Sequence, residues 1–409
     1  MKKRHRALIG FFLLVIAAIE IRNLYDSLRG SSSSNGTEEK TKDDLEALEQ
    51  RDQHRVQPKP LLNEEDQNKQ SNNKEARSNP EKTNLQLKRK TVLLWNWEWL
   101  PDIGEPLDTV LERSNCPHHH LCKLTKDKRL VNISDALIFH RSLGPNPPLA
   151  FRRPEQRWIW AEGEPPCFGP MPDTGEPYNW TLTYRLESDL YGPYSQIYRR
   201  EKPLQKDYMS IVKAKTGLVA WMVSHCPTPS RRMDYVKELQ KYIDIDIYGR
   251  CGPGKVKCLK EPGKIMGYEE QCLRKLENYK FYLSFENSLA VDYVTEKFFK
   301  TVNIDVVAVV RSGANMTRLG FHKDWYINTA DFSSPKELAD YLKKLDANDD
   351  LYVKYLEWKN YYYSAMSTTL CRLCERLLYH DDPPKTYTKD DIRRFFYTGN
   401  CFKPNDIVR

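Results

Sequence analysis

The stretch FYLSFENSLAVDYVTEK, Phe281–Lys297, begins as a strand and ends as a helix entrance. Phe281, Leu283 and Phe285 alternate with their neighbours at the period of an extended chain. A polar loop follows, and Thr295, Glu296 and Lys297 then open an apolar run. A helix starting near Thr295 points unpaired backbone N–H groups outward, which makes an anion site. Lys297 falls in its first turn, where the helix dipole disfavours a cation unless an anion offsets it. A diphosphate would supply that anion, and Glu286 and Glu296 are placed to accept hydrogen bonds from sugar or ribose hydroxyls. The same residues fit a solvated first turn with an ordinary Glu-Lys pair. Alone, the stretch therefore fixes a strand–loop–helix unit and not a ligand.

That unit recurs along the chain. TVLLWNWEWL (91–100), SDALIFH (134–140) and QRWIWAEGEPP (156–166) read as strands running into loops. GLVAWMVSH (217–225) is another apolar strand, RRMDYVKELQKY (231–242) has helical spacing, and IDIDIYGR (243–250) alternates as a strand. DVVAVV (305–310) and the capped helix SPKELADYLKKL (334–345) follow the opening stretch. Strands alternating with helices imply parallel α/β sheets, and two such series imply two Rossmann-like lobes with a cleft between them. The lobes are expected over 91–205 and 206–370, with a C-terminal tail over 371–409. Ligands of open α/β sheets bind beyond the strand C-termini, which is where the motifs below fall.

The N-terminal part is of another kind. Lys2, Lys3, Arg4 and Arg6 precede thirteen apolar residues from Ala7 to Ile19, fewer than the ~18–20 of a comfortable membrane span. The run also suits a signal-peptide core, but Glu20, Ile21 and Arg22 offer no small-residue cleavage site. The basic cluster favours a cytoplasmic N-terminus, and thin early secretory membranes accept a short span. The expectation is a cytoplasmic tail (1–6), a single signal-anchor helix (7–21) and a disordered stem (22–90), with a cleaved signal as the alternative. Either places the remainder in a lumen. The stem is rich in Ser, Asn, Gln, Lys and Glu and has little to bury. Sequons at Asn35, Asn132, Asn179 and Asn315 and an even count of ten cysteines agree with a lumenal setting. The net charge of +8 on 409 residues is dispersed, without the concentrated stripe of a nucleic-acid module, so no nucleic-acid partner is expected.

Metal signals are weak. Asp244 and Asp246 imitate an Asp-x-Asp metal site, but their alternation favours a strand. The three histidines of CPHHHLC (116–122) cannot all face one ion, and Cys371 and Cys374 have redox spacing without a thioredoxin-like setting.

Taken in order, QRWIWAEGEPP, LTYRLESDL (182–190), LVAWMVS (218–224), DIDIYGR (244–250), YKFYLSFENS (279–288), DYVTEK (292–297), DFSSPKELADYLKKLD (331–346) and YLEWK (355–359) resemble the α1,3/4-fucosyltransferase family, Golgi enzymes that use GDP-fucose. The resemblance implies a GT-B fold with the donor held mainly by the C-terminal lobe. It puts Asn287, Tyr293, Glu296 and Lys297 at donor-binding positions, with Lys297 on the diphosphate and Glu296 on ribose or fucose hydroxyls. Ser224, Arg231, Tyr248, Arg250 and Lys280 match other nucleotide-side positions, while His225 stands where an Asn is usual. Glu164 matches the catalytic carboxylate, which takes the acceptor proton while GDP leaves from the opposite face, with inversion. Glu162 is the alternative base. Tyr184, Arg185 and Asp189 match a cleft-shaping motif, or else form a structural salt bridge.

The resemblance further implies that no cofactor is required, leaving divalent-metal stimulation open, and that Cys116 and Cys122 bridge to Cys371 and Cys374 in an unspecified pairing. Cys226, Cys251, Cys258 and Cys272 make the chain most similar to invertebrate enzymes that fucosylate the innermost GlcNAc of glycoprotein N-glycans. Alternatives are transfer to antennal LacNAc or LacdiNAc, or a non-catalytic lumenal glycan-binding relative. Pro165, Ala308 and Arg311 depart from the family pattern.

Overall fold

The structure, a computed structural model, describes residues 88–96, 107, 109–140, 149–169, 171, 177–252, 270–365, 367–380, 383 and 385–407. The expected cytoplasmic tail, the signal anchor, the stem up to residue 87, Asn35 and Cys258 lie outside the described residues, as does the Cys272 side chain. Among the described residues no helix is long and apolar enough to cross a membrane.

The apolar runs form the expected strands. β1 (Lys90–Leu94), β2 (Cys122–Thr125), β3 (Ala136–His140), β4 (Arg157–Glu162), β5 (Trp180–Thr183) and β6 (Leu190–Tyr191) pair in parallel, in the order β2-β1-β3-β4-β5-β6. Every residue of β3 is buried, as a central parallel strand covered on both faces requires. β7 (Gln196–Arg199) leads out of this lobe. β8 (Gly217–Met222), β9 (Ile245–Tyr248), β10 (Tyr279–Phe285), β12 (Val307–Arg311) and β13 (Tyr326–Asn328) form the second parallel sheet, in the order β13-β12-β10-β8-β9. Each sheet reverses direction once, between β1 and β3 and between β8 and β10. In doubly wound sheets the C-terminal end of such a reversal is the ligand crevice. The two-lobed α/β architecture expected from the sequence is thus present, and it directs attention to the loops after β8 and β10.

Helices cover the second sheet. α1 (Arg232–Leu239) turns Tyr235, Val236 and Leu239 inward. α2 (Glu296–Val302) follows the opening stretch, and α3 (Pro335–Asp346) begins as predicted. Ser334 Oγ accepts from Glu337 N at 3.2 Å, Pro335 pre-sets the first turn, and Leu338, Leu342 and Leu345 are buried. Each such leucine contributes roughly 2 kcal/mol.

The C-terminal region is more than a tied tail. β14 (Tyr362–Ala365) pairs antiparallel with β7, and the chain then returns to the first lobe. α4 (Thr369–Tyr379) packs Cys371, Leu373 and Cys374 onto the face formed by Leu111, Leu124 and Ile159. α5 (Lys389–Ile392) and the π turn Arg393–Tyr397 place Ile392 and Phe396 on the opposite face, beside Trp160 and Tyr184. The open cysteine pairing resolves as Cys116–Cys371 and Cys122–Cys374. Cys226–Cys251 and Cys167–Cys401 are also bonded. Finally β15 (Cys401–Phe402) pairs antiparallel with β11 (Leu289–Ala290), inside the opening stretch.

Candidate active site

The loop after β10 is built around Glu286, which is 1% exposed. Its carboxylate accepts from Thr295 N and Thr295 Oγ1, each at 2.9 Å, and so ties the end of the strand to the start of α2. Lys297 Nζ lies 3.1 Å from Glu286 Oε2, 3.1 Å from Glu296 Oε1 and 2.8 Å from Thr295 Oγ1. Burial works against the ammonium, but the two carboxylates outweigh it and push the pKa up to about 12. Burial raises the pKa of Glu286; it also acts on Glu296, whose pKa is nonetheless lowered by Lys297 and Lys300. Two sequence expectations are corrected here. Lys297 needs no outside anion to occupy a helix N-terminus, because the fold supplies two. Glu286 is committed to Thr295 and Lys297 and is not a hydroxyl acceptor. Around it Asn287 Oδ1, Ser288 Oγ and Glu296 Oε2 are buried without a hydrogen-bond partner among the described residues. These orphaned atoms have hydrogen-bonding capacity to offer a polar ligand, as do others outside the cleft such as the Tyr208 hydroxyl.

Across the sheet reversal, the loops after β8 and β9 carry cations. His225 has a lowered pKa, first from burial and then from Arg232, Arg250 and Lys297, so these four groups share one positive region. Arg250 N approaches Ser224 Oγ at 3.5 Å, and Cys226–Cys251 joins the two loops. Arg232, which the sequence reading missed, is buried and donates to the carbonyls of Phe285 (2.7 Å) and His225 (3.0 Å). Its neighbour Arg231 instead points outward and pairs with Asp234 at 2.8 Å. The signal for Arg232 was available: it lies three, four and seven residues before Tyr235, Val236 and Leu239, on the inward stripe of α1.

Two more expected donor residues direct their polar ends away from this edge, although Tyr248 itself ends β9 there, opposite Met222. Lys280 sits at the opposite, N-terminal end of β10, bound to the Asp346 carbonyl (2.8 Å) and the Asp349 carboxylate (3.2 Å). The Tyr248 hydroxyl is 2.5 Å from that of Tyr279, which donates to Asp246 Oδ2 at 2.5 Å. Asp246 therefore serves a tyrosine on a strand, as its alternation suggested.

On the facing lobe β4 ends at Glu162, which is buried and accepts from Glu164 N at 2.7 Å, with His140 Nε2 3.8 Å away. Glu162 thus shapes the bend, and Glu164 emerges beyond it, half-buried. The Gly163 carbonyl accepts from the Tyr194 hydroxyl at 2.5 Å. Tyr194 and Tyr293 have pKa values raised well above the ordinary value, by burial first and by the Glu164 charge second. Tyr293 also packs edge-on against Tyr184 (5.0 Å between ring centroids) and Tyr194 (5.9 Å). The loop carrying Glu164 therefore meets the donor-lobe turn that opens α2 through Tyr194, whose hydroxyl bonds Gly163 and whose ring packs on Tyr293. Next to it, the Phe168 ring stacks on His225 at 5.9 Å, from lobe to lobe.

The cleft-shaping residues divide. Tyr184 touches Tyr293. Arg185 donates to the Phe395 carbonyl (2.7 Å) and Glu187 (3.0 Å), with Nε 3.9 Å from Asp292, a buried residue held at φ 57°. Arg318 joins Asp292 at 3.0 Å and pairs with Glu187, so charge links the lobes. Asp189 faces away, accepting from Thr181 N (2.9 Å) and Lys385 (2.6 Å), which is the structural salt bridge its sequence also allowed. Of the described sequons, Asn132 and Asn315 are exposed. Asn179 is corrected: its side chain is buried, donating to the Lys385 carbonyl and accepting from Trp158 N, which leaves no room for a glycan.

Residues 87–195 match the profile of the fucosyltransferase N-terminal domain, and residues 212–393 that of the glycosyltransferase family 10 (fucosyltransferase) C-terminal domain. Glycoprotein 3-alpha-L-fucosyltransferase A of Drosophila melanogaster is 34% identical over 313 residues, 74% of this chain and 59% of the relative's own length. Alpha-(1,3)-fucosyltransferase C of the same organism is 32% identical over 348 residues, 76% of this chain and 78% of the relative. A crystal structure of an alpha1,3-fucosyltransferase with GDP-fucose superposes with a TM-score of 0.48 at 17% identity, covering 74% of this chain and 94% of that one.

Proposed function

The chain belongs to glycosyltransferase family 10, the fucosyltransferases, and from that premise we propose that it transfers L-fucose from GDP-β-L-fucose, with inversion, in α1,3 linkage to a GlcNAc of glycoprotein N-glycans. The observation that carries the proposal is the contact between the Glu164 loop and the donor lobe, through Gly163–Tyr194–Tyr293 and the Phe168–His225 stack. Glu164 accepts the proton of the acceptor hydroxyl as its oxygen bonds to C1 of fucose. The C1–O bond to the diphosphate breaks with its electron pair on the leaving oxygen. GDP needs charge stabilisation and no proton, which suits the region of Arg232, Arg250, His225 and Lys297. That cationic region supports transfer without an obligatory metal, and the orphaned Asn287, Ser288 and Glu296 atoms suit ribose or fucose hydroxyls.

The innermost core GlcNAc is the acceptor we favour, on the likeness to the Drosophila glycoprotein 3-alpha-L-fucosyltransferase A. On the same reading the catalytic head works in the Golgi lumen, on a single-pass type II anchor within residues 7–21. The oxidised cysteines suit that compartment.

The test incubates the protein with GDP-fucose and a panel of N-glycan cores and antennal oligosaccharides, with product linkage mapped by mass spectrometry and glycosidase digestion. Products only on LacNAc or LacdiNAc antennae would reassign the acceptor. Glu164→Gln is expected to lower transfer on the order of 100-fold or more, the scale of losing a general base, with GDP affinity unchanged. Normal turnover by that variant would remove Glu164 from its role.

A further inference from the structure

The segment carrying Glu164 is bonded to the far end of the chain. Cys167, three residues beyond Glu164, forms a disulfide with Cys401. The two residues between are Pro165 and Pro166, with Pro165 at φ −73° and ψ 155°. Prolines fix their own φ, so this short link is stiff and passes a constraint at Cys167 on to Glu164.

Cys401 is itself held on the donor lobe. Ala290 pairs with Cys401 and Leu289 with Phe402, and Val291 N donates to the Asn400 carbonyl at 3.1 Å. β11 lies between Asn287 and Tyr293, inside the donor loop. Gly313 packs beneath it so closely that an added Cβ would lie 2.5 Å from Ala290 N. The segment's other end is anchored by Asp406, whose carboxylate takes Arg311 Nε and Nη2 at 2.7 Å each. Arg311 is 1% exposed and donates its remaining Nη1 to the Ser230 carbonyl at 2.9 Å. Two departures from the family pattern, Pro165 and Arg311, thus meet in one feature.

We propose that residues 400–407 are a positioning element for transfer, a covalent strap that holds the Glu164 loop against the donor turn through Cys167–Cys401. The proposal rests on Glu164 being the base. The strap fixes the distance between base and donor and leaves the cationic region that grips the diphosphate unaltered. It is also open to reduction. Cys401 is exposed and Cys167 half-buried, whereas Cys116, Cys122, Cys371 and Cys374 are buried, and thiol–disulfide exchange follows access.

The test uses Cys167→Ser/Cys401→Ser. The expected result is a kcat at least tenfold lower, with the GDP dissociation constant within twofold of the parent by calorimetry, and each single serine variant equal to the double. Full kcat with a lowered Tm would show a merely structural bridge and overturn the proposal, as would kcat and GDP affinity falling by the same factor. A second measurement covers failure of the variants to fold. The folded parent is titrated with dithiothreitol, which becomes a cyclic disulfide as it splits a bridge into two thiols, and free thiols are alkylated and mapped. Activity should fall in step with labelling of Cys401 while Cys116–Cys371 and Cys122–Cys374 stay closed. Activity surviving full labelling of Cys167 and Cys401 would sink the strap. Where the variants do fold, the same titration of the double reports the contribution of the remaining cysteines, Cys226–Cys251 among them. An inactive Glu164→Gln beside a fully active serine double would reject the strap and keep the base. An active Glu164→Gln would reject the base.

Discussion

At the scale of single residues, the site is a lysine shared by two carboxylates. Lys297→Ala would leave Glu286 and Glu296 as like charges beside an incoming diphosphate. GDP affinity should fall tenfold or more in calorimetry, and stability should drop by about 3–5 kcal/mol, the usual result of stripping one partner from a buried pair. Adding Glu286→Gln should restore much of the stability and little of the affinity. Equal recovery of both would show that Lys297 serves the fold alone. The placement of these residues on a strand–loop–helix unit was legible, because the apolar run of β10 and the Thr295 cap of α2 frame them. Their directions were not. Whether Arg231 or Arg232 faces the cleft depends on the rotation of α1, and Lys280 was assigned by position in a motif when the strand's polarity puts it at the wrong end.

Among elements, α2 is gripped at both ends. Thr295 and Glu286 hold its start, and Lys359 Nζ donates to the carbonyls of Thr301, Ile304 (2.7 Å) and Val306 (2.7 Å) just past its end. Burial pushes the Lys359 pKa down to about 7, against 10.5 for a solvated lysine. Between these values the unfolded chain holds a proton that the folded chain lacks. The stability contributed by this group should therefore rise with pH from about 7 to 10.5 and stay flat below 7. Denaturant titrations across that range should show a shallower slope in Lys359→Met than in the parent, because Lys215, whose pKa burial lowers to about 8, still contributes in both. That variant should be less stable throughout, since the carbonyls at the end of α2 lose the amine that donates to them. An identical slope in both would exclude Lys359 as its source. The long elements were readable because β3, β10 and β12 are continuous apolar runs and α3 has a clear cap. β11 and β15 were not, because two-residue strands have no period to detect. Cys167–Cys401 was likewise invisible, since a pairing through space leaves no spacing signal.

For the whole molecule, the decisive fact is that the chain crosses between lobes and comes back. Cys116–Cys371 and Cys122–Cys374 each close a loop of more than 250 residues. Either alone removes most of the entropy of that loop from the unfolded chain, roughly 5 kcal/mol, and the second then closes only a short ring. Replacing Cys116 and Cys371 by serine should therefore cost about 2–3 kcal/mol in denaturant unfolding, and removing all four cysteines about 5 kcal/mol or more. Additive losses would mean that the bridges act through local packing and not through the shared loop. The sequence announced two lobes through its two series of strands and helices, but it concealed that the first is finished by residues that follow the second. During synthesis a ribosome delivers β1 to β6 long before α4 exists. Until then Leu111, Leu124 and Ile159 have no cover, and the half-made lobe is a greasy intermediate in need of chaperoning. The first-translated lobe is the last to mature, and a nonsense codon anywhere before residue 369 would spoil the beginning of the protein as surely as its end.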